Sequence, residues 1–72
     1  MNMTPQRIAK QGYRKGFITQ RTQAYDRLPV LTEAQVLAVG GKFAEALGHE
    51  GKARDSFVAM FAWGYSDASR EV

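Results

Sequence analysis

Leu31-Thr32-Glu33-Ala34-Gln35 is the strongest local signal in the chain, and it sets a helix start at Glu33. Thr32 as N-cap and Gln35 three residues on form a capping box, in which each side chain satisfies the other's orphan backbone N–H. Glu33 adds negative charge where the helix dipole favours it. From there Val36, Val39, Gly40, Phe43, Ala44 and Leu47 share one face, while Gln35, Lys42 and Glu45 share the other. Gly48 then supplies a left-handed stop. The spacing predicts a helix over 33–47. Gly40 lies inside its apolar face, where a glycine admits close approach of a neighbouring helix, and Gly41 beside it permits a bend.

A further helix is expected from Gly51 or Lys52 to Ser69. Phe57, Val58, Met60, Phe61, Gly64, Tyr65 and Ala68 form a broad apolar sector, with Asp55, Ser56, Ser66 and Arg70 mostly outside it. The short connection between these helices reads as an αα-hairpin or a wider-angled pair. No segment alternates apolar and polar residues with the period of two that a strand requires. The expected fold is therefore all-α: a small domain of three to four helices, with a helical hairpin core and a basic N-terminal segment.

Size limits how such a core can be held. A 72-residue chain forms one domain, 1–72, and buries only about 60 % of its unfolded surface. It has no cysteine, so neither a disulfide nor a thiolate metal site is available, and its single His49 cannot build a metal centre alone. No metal and no cofactor are expected. Stability must come from helix packing or from association. The opening MNMTPQRIAKQG lacks an apolar h-region, and no stretch reaches the roughly 18–20 apolar residues of a membrane span, so a cytoplasmic protein without a membrane partner is expected.

Charge divides the chain in two. Arg7, Lys10, Arg14, Lys15, Arg21 and Arg27 face only Asp26 in residues 1–30, whereas acidic residues outnumber basic ones in 31–72. Thr4-Pro5 is a helix start, with Thr4 as N-cap and Pro5 at the first helical position. Beyond it, Gly12 and Gly16 each weaken a helix interior by about 1 kcal/mol relative to alanine, and Ile8, Tyr13, Phe17 and Ile18 form no single stripe. The expectation is a short helix over 5–15 and a second stretch over 18–28, ending before Pro29. Residues 1–30 then read as a basic, partly mobile segment attached to a helical core at 31–72.

The candidate partner-binding residues are Arg7, Lys10, Tyr13, Arg14, Phe17 and Arg21. The cations fall within a narrow helical sector and the aromatics interleave with them. Such a set can track a phosphate backbone while rings stack on bases. It can equally dock an acidic protein surface with aromatic anchors, or serve only as a solvated face. Trp63 points away from the Phe57/Phe61/Tyr65 sector. Coverage by the N-terminal helix is expected for it, with an interface role as the alternative. His49 reads as an exposed turn residue, since neither Ser56 nor Asp55 stands in an arrangement that would make it a general base. No catalytic residues and no enzymatic activity are expected.

Two short segments resemble known families. Phe43-Ala44-Glu45-Ala46-Leu47-Gly48 resembles the first helix and turn of a helix-turn-helix, which implies DNA binding. His49 and Arg54, however, stand at positions that are usually apolar or packed inward in that motif. Gly12-Tyr13-Arg14-Lys15-Gly16-Phe17 and Ala62-Trp63-Gly64-Tyr65 are similar to the two glycine-aromatic segments of ribosome modulation factor, which implies ribosome binding. The short Pro-Tyr linker of that family is absent here. In size, charge division and lack of cofactor motifs, the chain resembles by type the small bacteriophage-encoded regulators of host transcription. The expected function is non-enzymatic: binding and modulating a larger host machine through an acidic protein surface, with RNA polymerase as the expected transcription protein. The alternative is a nucleic-acid-binding regulator, either a DNA-binding repressor or a ribosome-associated factor.

Overall fold

A computed structural model of the chain describes residues 4–70. Three helices follow one another: α1 over Pro5–Tyr25, α2 over Glu33–Ala46 and α3 over Gly51–Arg70; no strand occurs among the described residues. α2 starts and stops as its sequence dictates. The Gln35 N–H donates to Thr32 Oγ1 at 3.2 Å and the Thr32 N–H donates to Gln35 Oε1 at 2.9 Å, completing the capping box. At the other end Gly48 takes φ +80°, and the N–H groups of Gly48 and His49 reach back to the carbonyls of Glu45 and Ala44. That pair of bonds is the Schellman closure that a left-handed residue allows.

α1 differs from its expectation. The stretches 5–15 and 18–28 are one continuous helix of 21 residues, capped at Thr4, whose Oγ1 accepts from the Arg7 N–H at 3.3 Å. It ends at Tyr25, short of residue 28, with Arg27 at φ +59° closing the same pair of bonds that Gly48 closes in α2. The physical reason for its continuity is packing. Gly12 and Gly16 are buried against α3, and a Cβ on either would lie 2.5 Å and 2.0 Å from the carbonyl oxygens of Phe57 and Phe61. From the other side, a Cβ on Gly64 would lie 2.1 Å from the Tyr13 carbonyl oxygen. The two backbones touch where side chains are missing, so the propensity lost at the glycines is returned as close contact between helices. The pairing of 12 with 57 and 16 with 61 makes α1 and α3 run in the same direction.

The core is accordingly not confined to 31–72. Ile8 from α1 joins Val36 and Ala44 from α2 and Phe57, Phe61 and Tyr65 from α3 in one buried cluster. Phe57 and Phe61 are fully buried, as the apolar sector of α3 predicts. α2 lies antiparallel on α3, with Phe43 5.7 Å from Phe61 between ring centres and the face of Gly40 resting on the Phe61 ring. Tyr65 ties the ends together: its hydroxyl donates to Gln23 Oε1 at 2.7 Å and accepts the Leu31 N–H at 2.9 Å. One side chain of α3 thereby fixes both α1 and the connection that leads into α2.

Two single residues also depart from expectation. His49 is half-buried rather than exposed. Its Nε2 lies 3.0 Å from Gln11 Oε1, and its ring centre lies 5.6 Å from that of Phe57. Leu47, assigned to the core face of α2, remains 49 % exposed, because α1 packs on α3 and leaves the outer edge of α2 uncovered.

Candidate functional site

α1 and α2 both rest on α3 and do not close on each other, so a groove of about 470 Å³ runs between them. Its α1 wall carries Arg7, Lys10, Gln11, Arg14, Lys15 and Ile18; its α2 wall carries Phe43, Ala46 and Leu47. Helical geometry explains the sorting. With Ile8, Gly12, Gly16 and Gln20 turned toward the core, the positions flanking that face on one side present four cations and one isoleucine to the groove. On α2, Phe43 and Leu47 stand one turn apart at its C-terminal end, where the helix dipole is negative and cations are favoured nearby. None of the lining residues is acidic.

The floor is apolar and partly capped by charge. Ile18 is 59 % exposed, and Lys15 Nζ lies 4.6 Å from the centre of the Phe43 ring. That distance is within the range of a cation–π contact. Glu45, on the neighbouring surface of α2, is engaged elsewhere, at 3.8 Å from the Arg54 guanidinium. The groove therefore combines a cationic rim with an apolar bed.

Of the six candidate residues, the structure brings three into this groove: Arg7, Lys10 and Arg14. Arg21 is exposed on α1 but lies outside the groove lining. Tyr13 and Phe17 belong to the opposite flank of α1 and are half-buried. Phe17 stacks on Tyr13 at 6.2 Å between ring centres, and Tyr13 meets Trp63 edge-on at 6.4 Å. The Tyr13 hydroxyl donates to Asp67 Oδ2 at 2.7 Å. This bond, opposed by partial burial and aided by Arg70, which also bonds the carboxylate, holds Asp67 below its ordinary value of 3.8. The two aromatics thus brace α1 on α3 and do not interleave with the cations as a stacking platform.

Trp63 is 57 % exposed, so α1 touches its edge through Tyr13 without covering it as expected. It lines a second depression of about 460 Å³ with Val30, Leu31, Val36 and Tyr65, where Glu33 is the one charged lining residue. Sequence reasoning missed Gln11, Lys15, Ile18, Phe43, Ala46 and Leu47 as groove residues. Lys15 falls outside the narrow cation sector, and Phe43 and Leu47 belong to a face read as core. The legible signal was the width of the α2 apolar face, which exceeds what one neighbouring helix can cover.

No helix among the described residues is long and apolar enough to cross a membrane. Comparison with protein-family models, curated proteins and solved structures finds no match for this chain. The two segments that resemble ribosome modulation factor do meet each other in space, with Gly12 and Gly16 on one side of the α1–α3 contact and Gly64 on the other. Helix packing is a sufficient reason for their glycines.

Proposed function

We propose that the protein is a small non-enzymatic regulator that binds an acidic, partly apolar protein surface in the groove between α1 and α2. The observation that carries this reading is the lining itself: Arg7, Lys10, Arg14 and Lys15 around Ile18, Phe43 and Leu47, with no acidic residue among them. Cations alone would suit phosphate or carboxylate alike. The exposed floor residues Ile18 and Leu47 are aliphatic and favour a partner that brings aliphatic side chains, whereas bases stack on aromatic rings and the one ring in the groove, Phe43, lies under Lys15. A transcription protein such as RNA polymerase is the partner proposed for this groove, on the similarity of type set out above. Binding there is stoichiometric and uses no cofactor.

The test is capture of partners from a bacterial lysate by the wild-type protein and by Arg14→Glu, each with and without nuclease. The expected result is a protein captured by the wild type, retained after nuclease and lost with Arg14→Glu. Capture that disappears with nuclease selects the alternative, a nucleic-acid-binding regulator.

A further inference from the structure

We infer that the occupant of the groove is an amphipathic helix with an acidic rim, which docks between α1 and α2 as a fourth helix. This rests on the reading of the groove as a site for an acidic protein and specifies the shape of that partner. Three observations point to it. The first is direction: the lining runs along α1 from Arg7 to Ile18, a span of about 17 Å or three helical turns at about 1.5 Å per residue. The walls are antiparallel helices, because Gln11 meets His49 beyond the end of α2 while Lys15 lies over Phe43 further back along it. A trough between two such helices is the seat a further helix takes in a bundle.

The second observation is spacing. Phe43 and Leu47 stand at i and i+4 on α2, and Ile18 lines the same groove from α1, so apolar knobs one turn apart on an incoming helix find matching positions along it. Ile18 and Leu47 remain 59 % and 49 % exposed, which leaves apolar surface for the partner to bury. The third is charge complementarity. Arg7, Lys10 and Arg14 follow the i, i+3, i+7 course of the α1 wall, so carboxylates at the same spacing on the incoming helix can each meet one. Lys15 sits over the Phe43 ring. An apolar anchor on Phe43 displaces that ammonium toward the rim, where it meets a carboxylate of the partner.

The experiment uses the full chain and three probes. One is a synthetic helical peptide with leucines at i, i+4 and i+7 and glutamates along both edges. The second has the same composition, scrambled so that the leucines share no face. The third is a single-stranded oligonucleotide. Binding is followed by NMR shift mapping and by titration. The patterned peptide is expected to bind at least about tenfold more tightly than the scrambled one and to shift Ile18 and Leu47. Leu47→Glu or Ile18→Glu, each at an exposed position, should weaken it by at least about tenfold with the helical circular dichroism unchanged. Equal binding of the two peptides, or peptide shifts centred on Trp63, would overturn the helix while leaving an acidic partner in place. Binding of the oligonucleotide alone, or of none of the probes, would overturn both readings.

Discussion

The two contacts that α3 makes are built on opposite principles. Against α1 the contact depends on missing atoms: Gly12, Gly16 and Gly64 bring backbone onto backbone, and carbonyl oxygens lie where Cβ atoms would stand. Against α2 it depends mainly on atoms present: Val36, Ala44 and the Phe43 and Phe61 rings fill the space, and only at Gly40 would a Cβ crowd a ring, at 3.0 Å from Phe61. The α1 contact is therefore intolerant of additions, which meet backbone, whereas the α2 contact is lost chiefly by deletions. Phe61 belongs to both, since its carbonyl faces Gly16 and its ring faces Gly40 and Phe43. The difference also shapes the site. α1 is drawn tightly onto α3 and meets α2 only sparsely, and the groove is what remains between them.

Substitutions on the two sides of α3 should tell the two contacts apart. Phe61→Ala removes the ring that α2 packs on, and the expected loss is about 3–5 kcal/mol, enough to unfold so small a domain in a denaturant titration. Gly16→Ala adds one methyl group where the Phe61 carbonyl oxygen would lie 2.0 Å away. Neither backbone can step aside locally, so the helices must separate. A cost of about 3 kcal/mol, at the upper end of typical overpacking, is expected from its thermal melt.

Gly41→Ala probes the α2 side with the same chemical change and should behave differently. Its Cβ would meet only the Arg54 guanidinium end at 2.8 Å, a flexible group that can swing away. Gaining alanine's helix propensity should then stabilise the protein by up to about 1 kcal/mol. If Gly16→Ala and Gly41→Ala shift the melting temperature alike, the proposed asymmetry between the two contacts is wrong.

The smallest effect concerns pH. Asp67 is held below 3.8 chiefly by the Tyr13 hydroxyl, so its folded form is favoured when ionised. That stability is present above the ordinary value and is lost as pH falls through the folded one. Tyr13→Phe removes the main cause. The two proteins should differ slightly in stability at neutral pH, and this contribution to the difference should vanish in acid, as followed by urea midpoints across the range.

How much of this was legible in the sequence follows from the same contrast. α2 and α3 announce themselves through local signals: Thr32 and Gln35, the Gly48 stop and the Phe57/Phe61/Tyr65 sector all act within a turn or two. α1 does not, because Gly12 and Gly16 lower its propensity locally and repay that only through Phe57 and Phe61, some forty-five residues away. Gly64, read as one member of an apolar sector, is the third part of the same contact. The groove was legible in part. Arg7, Lys10 and Arg14 stand out as a cation row, but Lys15 finds its place only once α2 sets Phe43 beneath it. Tyr13 and Phe17 look like anchors next to cations in sequence. The rotation of α1 that buries its glycines turns them toward Trp63 and Asp67 instead.

Native-state hydrogen exchange in the free protein reads α1 residue by residue and so decides whether that helix belongs to the core. If α1 is one helix held on α3 by its glycines, the amides of residues 12–20 should open with a free energy close to that of Phe57–Tyr65, near the global unfolding value. Exchange of 12–20 at rates close to those of an unfolded chain, with 57–65 still protected, would contradict it. The N-terminal segment would then be a basic arm beside a two-helix core, and the groove would have only one wall.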